Sequence, residues 1–344
     1  MPLSNPSQLL LRNVDLLAAS NPLLVNPPAD QLTTEYQQNY LTAQLTCFTY
    51  NYADYLWLKD SYSNTTCYFD SQYHGDIKHD LAVIFFPKSK HEFSYTLAML
   101  AEHLSSDAKI LIVGENKGGV KSAIKLTTSF LTNCEKVDSA RHCSLFLGDF
   151  NGMVKPFNIE QWFKNYSLTL NDVELTISSL PGVFSQSELD VGTKLLLNNL
   201  PQTMRNEVLD FGCGAGVISA YIGKKHPQMQ LNLIDVNALA LKSAEQTLAI
   251  NDLQGEVFAS DSLSNVHKKY QHVVSNPPFH QGLKTHYAAT ESFLAGIKNY
   301  IKQSGDITIV ANNFLRYQPI MEANIAKTTR LTNKNGFAIY RCQL

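Results

Sequence analysis

Between residues 206 and 220 a short strand, a glycine-rich turn and a helix follow one another, and this order constrains the fold most strongly. Residues 207–209 are predicted to start a buried strand that Asp210 ends. Gly212, Gly214 and Gly216 then occupy alternate positions before an apolar helix start. A strand, a glycine turn and a helix form the first unit of a doubly wound nucleotide-type site.

The glycine spacing narrows the class of ligand. Glycines allow a backbone to approach a ligand where a side chain would collide. The dinucleotide fingerprint places its third glycine one residue later, where Val217 stands. Asp210 brings a carboxylate to the strand end, where it could meet a cation or an amino group. This combination favours S-adenosylmethionine over a pyrophosphate, and a tight turn without a ligand is the alternative.

Two further carboxylates follow predicted strands. Asp235 ends the run at 231–235, which is 23 residues beyond Gly212 and where a doubly wound site places its ribose-binding acid. The run at 256–261 predicts a third strand with Asp261 just past its end, where Asp261 could contact an adenine amino group. Each acid could instead cap a helix, and that alternative stays open for Asp261 in particular.

The most specific motif is Asn276-Pro277-Pro278-Phe279, directly after a predicted strand at 272–275. Two prolines fix the backbone and remove two N–H donors, which leaves carbonyl groups to face a ligand. The Asn276 side chain adds an acceptor, so the motif can hold both hydrogens of an exocyclic or amide NH₂ group. Phe279 offers a flat face on which a planar base can stack.

The first half is predicted to alternate strands with helices. Apolar runs at 23–25, 45–50, 66–69, 81–86, 109–113 and 144–147 predict strands, and residues 89–104 and 120–131 predict helices. Such alternation indicates a parallel, doubly wound sheet. The turn Asn171-Asp172 between alternating runs predicts a hairpin that opens a second domain. We therefore expect two α/β domains, residues 1–157 and residues 158–344.

The first half lacks the ligand motifs of the second. Asn26-Pro27-Pro28 has no following aromatic residue and no glycine loop before it, so we interpret it as a turn. Lysines cluster around its predicted strand ends and could face RNA phosphates, or could form an ordinary solvated rim. These lysines are Lys88, Lys90, Lys117, Lys121 and Lys125.

Composition excludes several classes of protein. The chain has 344 residues, 44% of them hydrophobic, which suffices for two packed cores. A formal charge of −2 gives no global basic field for gripping nucleic acid. Six scattered cysteines without a CxxC pair favour a reducing cytoplasm over a disulfide framework or a zinc site. We find neither a signal peptide pattern nor a membrane-spanning apolar run.

The two ligand motifs together resemble class I S-adenosylmethionine-dependent methyltransferases that act on amino nitrogens. A longer likeness resembles the ribosomal RNA small subunit methyltransferase C family, which methylates a guanine 2-amino group. It rests on Leu-Pro-Gly-Val-Phe-Ser at 180–185, Leu-Asp-Val-Gly-Thr at 189–193, the glycine loop, Glu-Val-Phe-Ala-Ser at 256–260, Asn-Pro-Pro-Phe-His-Gln-Gly at 276–282, and Gly-Glu-Asn-Lys-Gly-Gly-Val-Lys-Ser-Ala at 114–123.

This resemblance implies two tandem Rossmann-like methyltransferase domains, the first of them degenerate, and a monomer that acts on ribosomal RNA within a small subunit or an assembly intermediate. It implies that the base is held by Asn276, Pro277, Pro278 and Phe279. It implies that the cofactor is held by Asp210, Gly212, Cys213, Gly214, Gly216, Asp235 and Asp261. We expect RNA contacts from Lys88, Lys90, Lys117, Lys121 and Phe184.

Three other functions share parts of this pattern. Protein glutamine methylation uses the same grip on an amide group, but Phe279 instead of Tyr and the duplicated architecture count against it. Adenine methylation is a second alternative within the fold. A non-catalytic RNA-binding assembly factor is the alternative from another class, and the intact glycines and Asp235 count against it.

Overall fold

The structure is a computed structural model that describes residues 2–61, 65–277, 284–315 and 317–344. The chain forms two compact units, Met1–Trp162 and Phe163–Leu344. Pro278 and Phe279 of the predicted base-binding motif lie outside the described residues. Within the described parts of the chain, no helix is long and apolar enough to cross a membrane.

The first unit is built on one sheet. Its strands are β1 (Pro22–Val25), β2 (Thr46–Thr49), β3 (Thr66–Phe69), β4 (His79–Phe85), β5 (Leu104–Glu115), β6 (Leu131–Ala140) and β7 (Cys143–Phe150). They lie in the order β3-β2-β1-β4-β5-β7-β6. Its helices are α1 (Asn5–Arg12), α2 (Leu32–Asn39), α3 (Tyr52–Ser61), α4 (Lys90–Leu100) and the single turn α5 (Ala123–Leu126).

A two-stranded hairpin opens the second unit. Strands β8 (Lys164–Leu170) and β9 (Val173–Ser179) pair antiparallel around Asn171 and Asp172, as the sequence predicts. Both turn residues have positive φ angles, 50° and 64°. Such angles belong to the turns whose twist matches that of the flanking strands.

The second unit repeats the sheet of the first. Its strands are β10 (Glu207–Phe211), β11 (Gln230–Asp235), β12 (Gly255–Ala259), β13 (Tyr270–Ser275), β14 (Ile301–Asn312), β15 (Thr328–Lys334) and β16 (Phe337–Gln343), in the order β12-β11-β10-β13-β14-β16-β15. Its helices are α6 (Val191–Leu197), α7 (Val217–Lys225), α8 (Ala238–Ile250), α9 (Lys284–Gly296) and α10 (Tyr317–Asn324).

The central strands explain why the chain folds this way. Val208 and Leu209 of β10 are fully buried, as expected of a parallel strand that is covered by helices on both faces. Phe211, at the end of β10, stacks on Phe293 of α9 with ring centroids 3.7 Å apart. Burial of these apolar residues holds the strand in place, so its carboxyl end presents the glycine loop at a fixed position.

The expectation of two tandem Rossmann-like domains is confirmed, and two details of it are wrong. The sheets are mixed, because the last two strands of each run antiparallel to their neighbours. The predicted helix at 120–131 is replaced by short helical turns and by the start of β6 at Leu131. Strand β6 lies at the sheet edge and is largely polar and exposed, so it lacks the apolar run of a buried strand.

Candidate functional site

The glycine loop after β10 combines a cradle with a packing contact. Gly212, Gly214 and Gly216 all have positive φ angles, of 68°, 54° and 76°. A Cβ atom added at Gly212 or Gly214 would meet no atom of the described residues within 4 Å, whereas one at Gly216 would lie 3.1 Å from Ala244 of α8. The first two glycines therefore leave open space for a ligand, and the third lets α8 pack closely.

Strand β11 holds this loop in place. The N–H groups of Gly212 and Cys213 donate to the carbonyl oxygen of Ile234 at 2.9 and 3.0 Å. The N–H of Gly214 donates to Asp235 Oδ2 at 3.0 Å. The loop is thus fixed before any ligand arrives, which lowers the entropic cost of binding.

The position of Asp235 argues against its alternative as a helix cap. Helix α8 is capped by Asn237, whose Oδ1 accepts the N–H groups of Leu239 and Ala240. Asp235 Oδ1 accepts the N–H of Asn237 at 2.9 Å, and both carboxylate oxygens retain further lone pairs. Burial raises the pKa of Asp235. Binding of ribose hydroxyls by Asp235 stays a prediction that this geometry permits.

Asp210 is fully buried at the end of β10. Its Oδ2 accepts hydrogen bonds from Ser219 N–H at 3.2 Å and Ser219 Oγ at 2.8 Å, which joins the strand to helix α7. Its buried Oδ1 has no hydrogen-bond partner among the described residues. The pKa of Asp210 is raised to about 7, mainly by desolvation; the hydrogen bonds from Ser219 lower it, and the nearby charge of Asp235 raises it.

Cys213 and Asp261 occupy contrasting environments. The Cys213 thiol is buried, and desolvation raises its pKa, so this side chain is a small apolar wall rather than a reactive thiolate. Asp261 is exposed just past β12, and its N–H donates to Ser264 Oγ. In the described stretch from Asp261 to β13 no helix begins, which removes the capping alternative and leaves its contact to adenine as a prediction.

Asn276 and Pro277 follow β13 at the same edge of the sheet. Asn276 Nδ2 donates to Thr193 Oγ1 at 2.7 Å and to Asp190 Oδ2 at 3.1 Å. Its Oδ1 is buried and has no hydrogen-bond partner in the part of the chain that the structure describes. A buried acceptor without a partner is costly, so this oxygen is suited to a donor that a ligand supplies.

Sequence reasoning missed the roles of Asp190 and Thr193. Both belong to the Leu-Asp-Val-Gly-Thr stretch, which carried only the family likeness. Asp190 is the N-cap of α6, with Oδ2 accepting the Thr193 N–H at 2.8 Å. An Asp directly before an apolar helical run signals an N-cap, but only the tertiary fold shows that Asn276, 86 residues later, shares the same oxygen.

The strand order brings the carboxyl ends of β10, β11, β12 and β13 to one edge. That edge carries the glycine loop, Asp235, Asp261 and Asn276. Of the predicted RNA-binding residues, Phe184 is 57% exposed in the second unit. Lys88, Lys90, Lys117 and Lys121 are exposed in the first unit, after β4 and β5. A Cβ added at Gly119 would lie 4.0 Å from Lys90 Cε, so the two lysine-bearing loops are neighbours.

Comparison with known proteins agrees with this architecture. The family described as Methyltransferase small domain matches residues 174–341, and Methyltransferase small domain N-terminal matches residues 7–166. A T. thermophilus 16S rRNA N2 methyltransferase, solved with AdoMet and guanosine, has a TM-score of 0.85 at 19% identity. That likeness covers 99% of this chain and 92% of the other, and it concerns the fold.

Together, the repeated sheet, the glycine loop and the Asn-Pro end of β13 define a class I methyltransferase. Two relatives, both called ribosomal RNA small subunit methyltransferase C, identify the family within this class of methyltransferases. The protein from Colwellia psychrerythraea is 53% identical and covers 100% of this chain and 99% of its own length. The protein from Psychromonas ingrahamii is 43% identical over 98% and 97%. The chain belongs to the ribosomal RNA small subunit methyltransferase C family.

Proposed function

We propose that this protein transfers a methyl group from S-adenosylmethionine to the 2-amino group of a guanine in small-subunit ribosomal RNA. The observation that carries the proposal is the Asn276 side chain, whose Nδ2 is fully hydrogen-bonded while Oδ1 is buried without a partner among the described residues. An NH₂ group of the substrate is the donor that this acceptor fits.

The residues present fit the cofactor. Gly212 and Gly214 leave open space where a Cβ would otherwise project, and Asp235 retains lone pairs for ribose hydroxyls. The buried Oδ1 of Asp210 has no hydrogen-bond partner among the described residues, and we assign it to the cofactor's ammonium, whose positive charge would favour the ionised carboxylate. When bound, S-adenosylmethionine supplies a strongly electrophilic methyl group, so the protein mainly has to position the acceptor nitrogen.

Asn276 and Pro277 are assigned to that positioning. The lone pair of a guanine 2-amino group is delocalised into the ring, which makes the nitrogen a poor nucleophile. Hydrogen bonds from its two hydrogens to Asn276 Oδ1 and the Pro277 carbonyl would favour a pyramidal nitrogen with its lone pair free. They would also stabilise the positive charge that develops there, and the extra proton then leaves to solvent.

A target guanine in folded RNA must leave its stack before it reaches Asn276. Flipping a base out costs a few kcal/mol, least where the base is already unpaired. Phe279 is assigned to stacking on the extruded base, and Phe184 to the neighbouring RNA. A chain of charge −2 suits recognition of local RNA shape, so we propose that the cytoplasmic monomer acts on a small subunit or assembly intermediate.

The proposed function is tested by mapping methylated guanines by mass spectrometry in small-subunit ribosomal RNA. RNA from a strain that lacks the protein should lose one 2-methylguanine. The wild-type gene should restore it, and Asn276→Ala should not, since it removes only the acceptor. An unchanged methylguanine pattern in the deletion strain would contradict the proposal, and loss of a methylated adenine instead would favour adenine methylation.

We also propose that the exposed lysines of the first unit contact RNA phosphates. Replacing Lys117 and Lys121 together with Ala should weaken RNA binding several-fold and reduce the slope of log affinity against log salt by about one per lysine. Lys224 and Lys225 in α7 of the second unit provide a matched double substitution of the same charge. Equal salt slopes for wild type and the Lys117/Lys121 variant would remove this role.

A further inference from the structure

We propose that Asp190 and Thr193 are positioning residues for methyl transfer, which hold the Asn276 amide in one orientation and increase the negative charge on its oxygen. Neither side chain needs to touch the substrate, because both act through Asn276. The inference rests on the proposed function, since it explains how the acceptor for the guanine amine is held.

The hydrogen bonds fix the orientation of the amide. Asn276 Nδ2 has two N–H groups, and the structure gives it two acceptors, Thr193 Oγ1 at 2.7 Å and Asp190 Oδ2 at 3.1 Å. A flipped amide would place its carbonyl oxygen against the Asp190 carboxylate, where like partial charges repel. The amide therefore presents Oδ1 to the side that has no protein donor in the described chain.

Asp190 is itself fixed by the start of α6. Its Oδ2 accepts the Thr193 N–H at 2.8 Å and the Thr193 hydroxyl at 3.3 Å. Thr193 is buried, and a Cβ added at Gly192 would lie 3.0 Å from Asp190 Oδ2, so even a methyl group there would crowd the carboxylate. The helix cap and the Asn276 contacts thus form one cluster with little freedom to rearrange.

The charge of Asp190 gives the cluster an electrostatic effect. A carboxylate that accepts an amide N–H polarises the amide, and chained hydrogen bonds strengthen one another where water is excluded. The polarisation increases the negative charge on Asn276 Oδ1. This oxygen would face the amine as positive charge develops on it, so the polarised amide stabilises the transition state more than the ground state.

Three conservative variants separate positioning from folding. Thr193→Val keeps the shape and removes one acceptor, and Thr193→Ser restores the hydroxyl. Asp190→Asn keeps an oxygen that can cap α6, because Asn and Asp cap helices about equally well, and it removes the charge while exchanging one carboxylate oxygen for an NH₂ group. Glu188→Gln is the matched control, since it removes an exposed charge two residues away, whereas the hydrogen bonds of Asn276 run to Asp190 and Thr193.

The rates are measured in single turnovers at saturating S-adenosylmethionine, on unmethylated small ribosomal subunits from a strain that lacks the protein. Thr193→Val and Asp190→Asn should each slow methyl transfer about 10-fold, as expected when part of an oriented transition-state interaction is lost. Thr193→Ser should recover most of the rate, and Glu188→Gln should leave it unchanged. The dissociation constant for S-adenosylmethionine and the half-saturating RNA concentration should stay within about 2-fold.

A spectroscopic measurement tests the cluster without the reaction. In protein labelled with ¹⁵N at asparagine, the side-chain NH₂ signals of Asn276 are assigned by their absence in Asn276→Ala. In the wild type these hydrogens should exchange slowly with water, because both are hydrogen-bonded. In Thr193→Val the exchange should accelerate at least several-fold, and in Glu188→Gln it should not change.

The outcomes separate this inference from the proposed function. If the wild type methylates guanine, and folded Thr193→Val and Asp190→Asn do so at the same rate, the inference is overturned and the proposed function stands. Asp190 would then be only a helix cap. A wild type that methylates no guanine would overturn the proposed function instead. In that case, unchanged amide exchange in Thr193→Val would also contradict the proposed hydrogen bonding of the Asn276 amide, and faster exchange would support it.

Discussion

The two units share one strand order but differ at the carboxyl ends of their central strands. Val25 of β1 pairs with Phe48 and Ile84, and Phe211 of β10 pairs with Ile234 and Ser275. Asn26 also donates to Phe48 as Gly212 donates to Ile234. One residue further along each strand, the equivalent positions of the two units are therefore Asn26 and Gly212, Thr49 and Asp235, and Phe85 and Asn276.

The matched positions show what the first unit lacks. Leu24 stands where the second unit has Asp210, Thr49 where it has Asp235, and Phe85 where it has Asn276. Pro27 and Pro28 replace Cys213 and Gly214, so the backbone N–H that binds Asp235 has no counterpart. At each of these positions, the residue of the first unit therefore lacks the charge, the polar side chain or the N–H donor that the second unit has.

Aromatic side chains fill part of the first unit instead. Tyr50 follows β2, is 2% exposed, and its hydroxyl hydrogen-bonds Thr96 Oγ1 at 3.0 Å. Its ring lies 5.0 Å from that of Phe48 and 6.2 Å from that of Tyr95. Both units thus build the same sheet from apolar strand residues, and they differ in a few residues just beyond the strand ends, to which we assign the chemistry.

The largest effect is expected at Asn276, whose equivalent in the first unit is Phe85. Asn276→Ala removes the acceptor but leaves the glycine loop and Asp235 unchanged. Methyl transfer in a single turnover should slow about 100-fold or more, as when one oriented transition-state hydrogen bond is lost. The dissociation constant of S-adenosylmethionine, measured by calorimetry, should barely change. Methylation at the wild-type rate would mean that the amine is held elsewhere.

A second difference concerns the buried acid, which the first unit replaces with Leu24. Folding raises the pKa of Asp210 to about 7 from about 3.9 in an unfolded chain, mainly by desolvation. Its contribution to stability is therefore fully present below pH 4 and is lost as pH rises through 7. The free energy of unfolding should fall by about 2 kcal/mol between pH 5 and pH 7 on this account, at 1.36 kcal/mol per pH unit.

Denaturant unfolding of wild type and Asp210→Asn, followed on the transition of the second unit, measures that contribution. Asn keeps the shape and an acceptor for Ser219 but cannot ionise. The difference between the two proteins should favour Asp210→Asn increasingly from pH 5 to pH 8. A difference that does not vary with pH would show that Asp210 is ionised throughout this range.

The smallest expected effect separates two glycines of the same loop. Gly214→Ala places a methyl group in the open space assigned to the cofactor, so affinity for S-adenosylmethionine should fall by at least ~10-fold. Gly216→Ala instead pushes a methyl group against Ala244, at 3.1 Å, and should lower the melting temperature with a smaller effect on affinity. Both variants carry the cost of a positive φ angle. The reverse pattern in calorimetry and thermal melts would contradict these roles.

Much of the central fold was predictable because its signals are local. The runs that form β3, β10, β11 and β13 are short and apolar and end at a polar or turn residue, so their predicted bounds lie within two residues of the observed strands. The turn at Asn171-Asp172 likewise fixes the hairpin locally. The glycine loop and the Asn-Pro motif could be located for the same reason.

Other parts depend on contacts that no local pattern records. Strand β6 has the polar composition of a sheet edge, and its pairing with β7 determines its conformation. The Asn276 amide is oriented by Asp190 and Thr193, which lie more than 80 residues earlier in the chain. The role of Gly216 as a packing glycine also became clear only from its distance to α8.

We expect S-adenosylmethionine to bind only to the second unit. Counting the S-adenosylmethionine molecules bound per full-length chain, and locating them, tests this expectation. Calorimetry should give one site per chain, and ultraviolet cross-linking of radiolabelled cofactor should mark peptides of Phe163–Leu344 alone. Two sites per chain, or label within Met1–Trp162, would contradict the claim that the first unit has lost its ligand site.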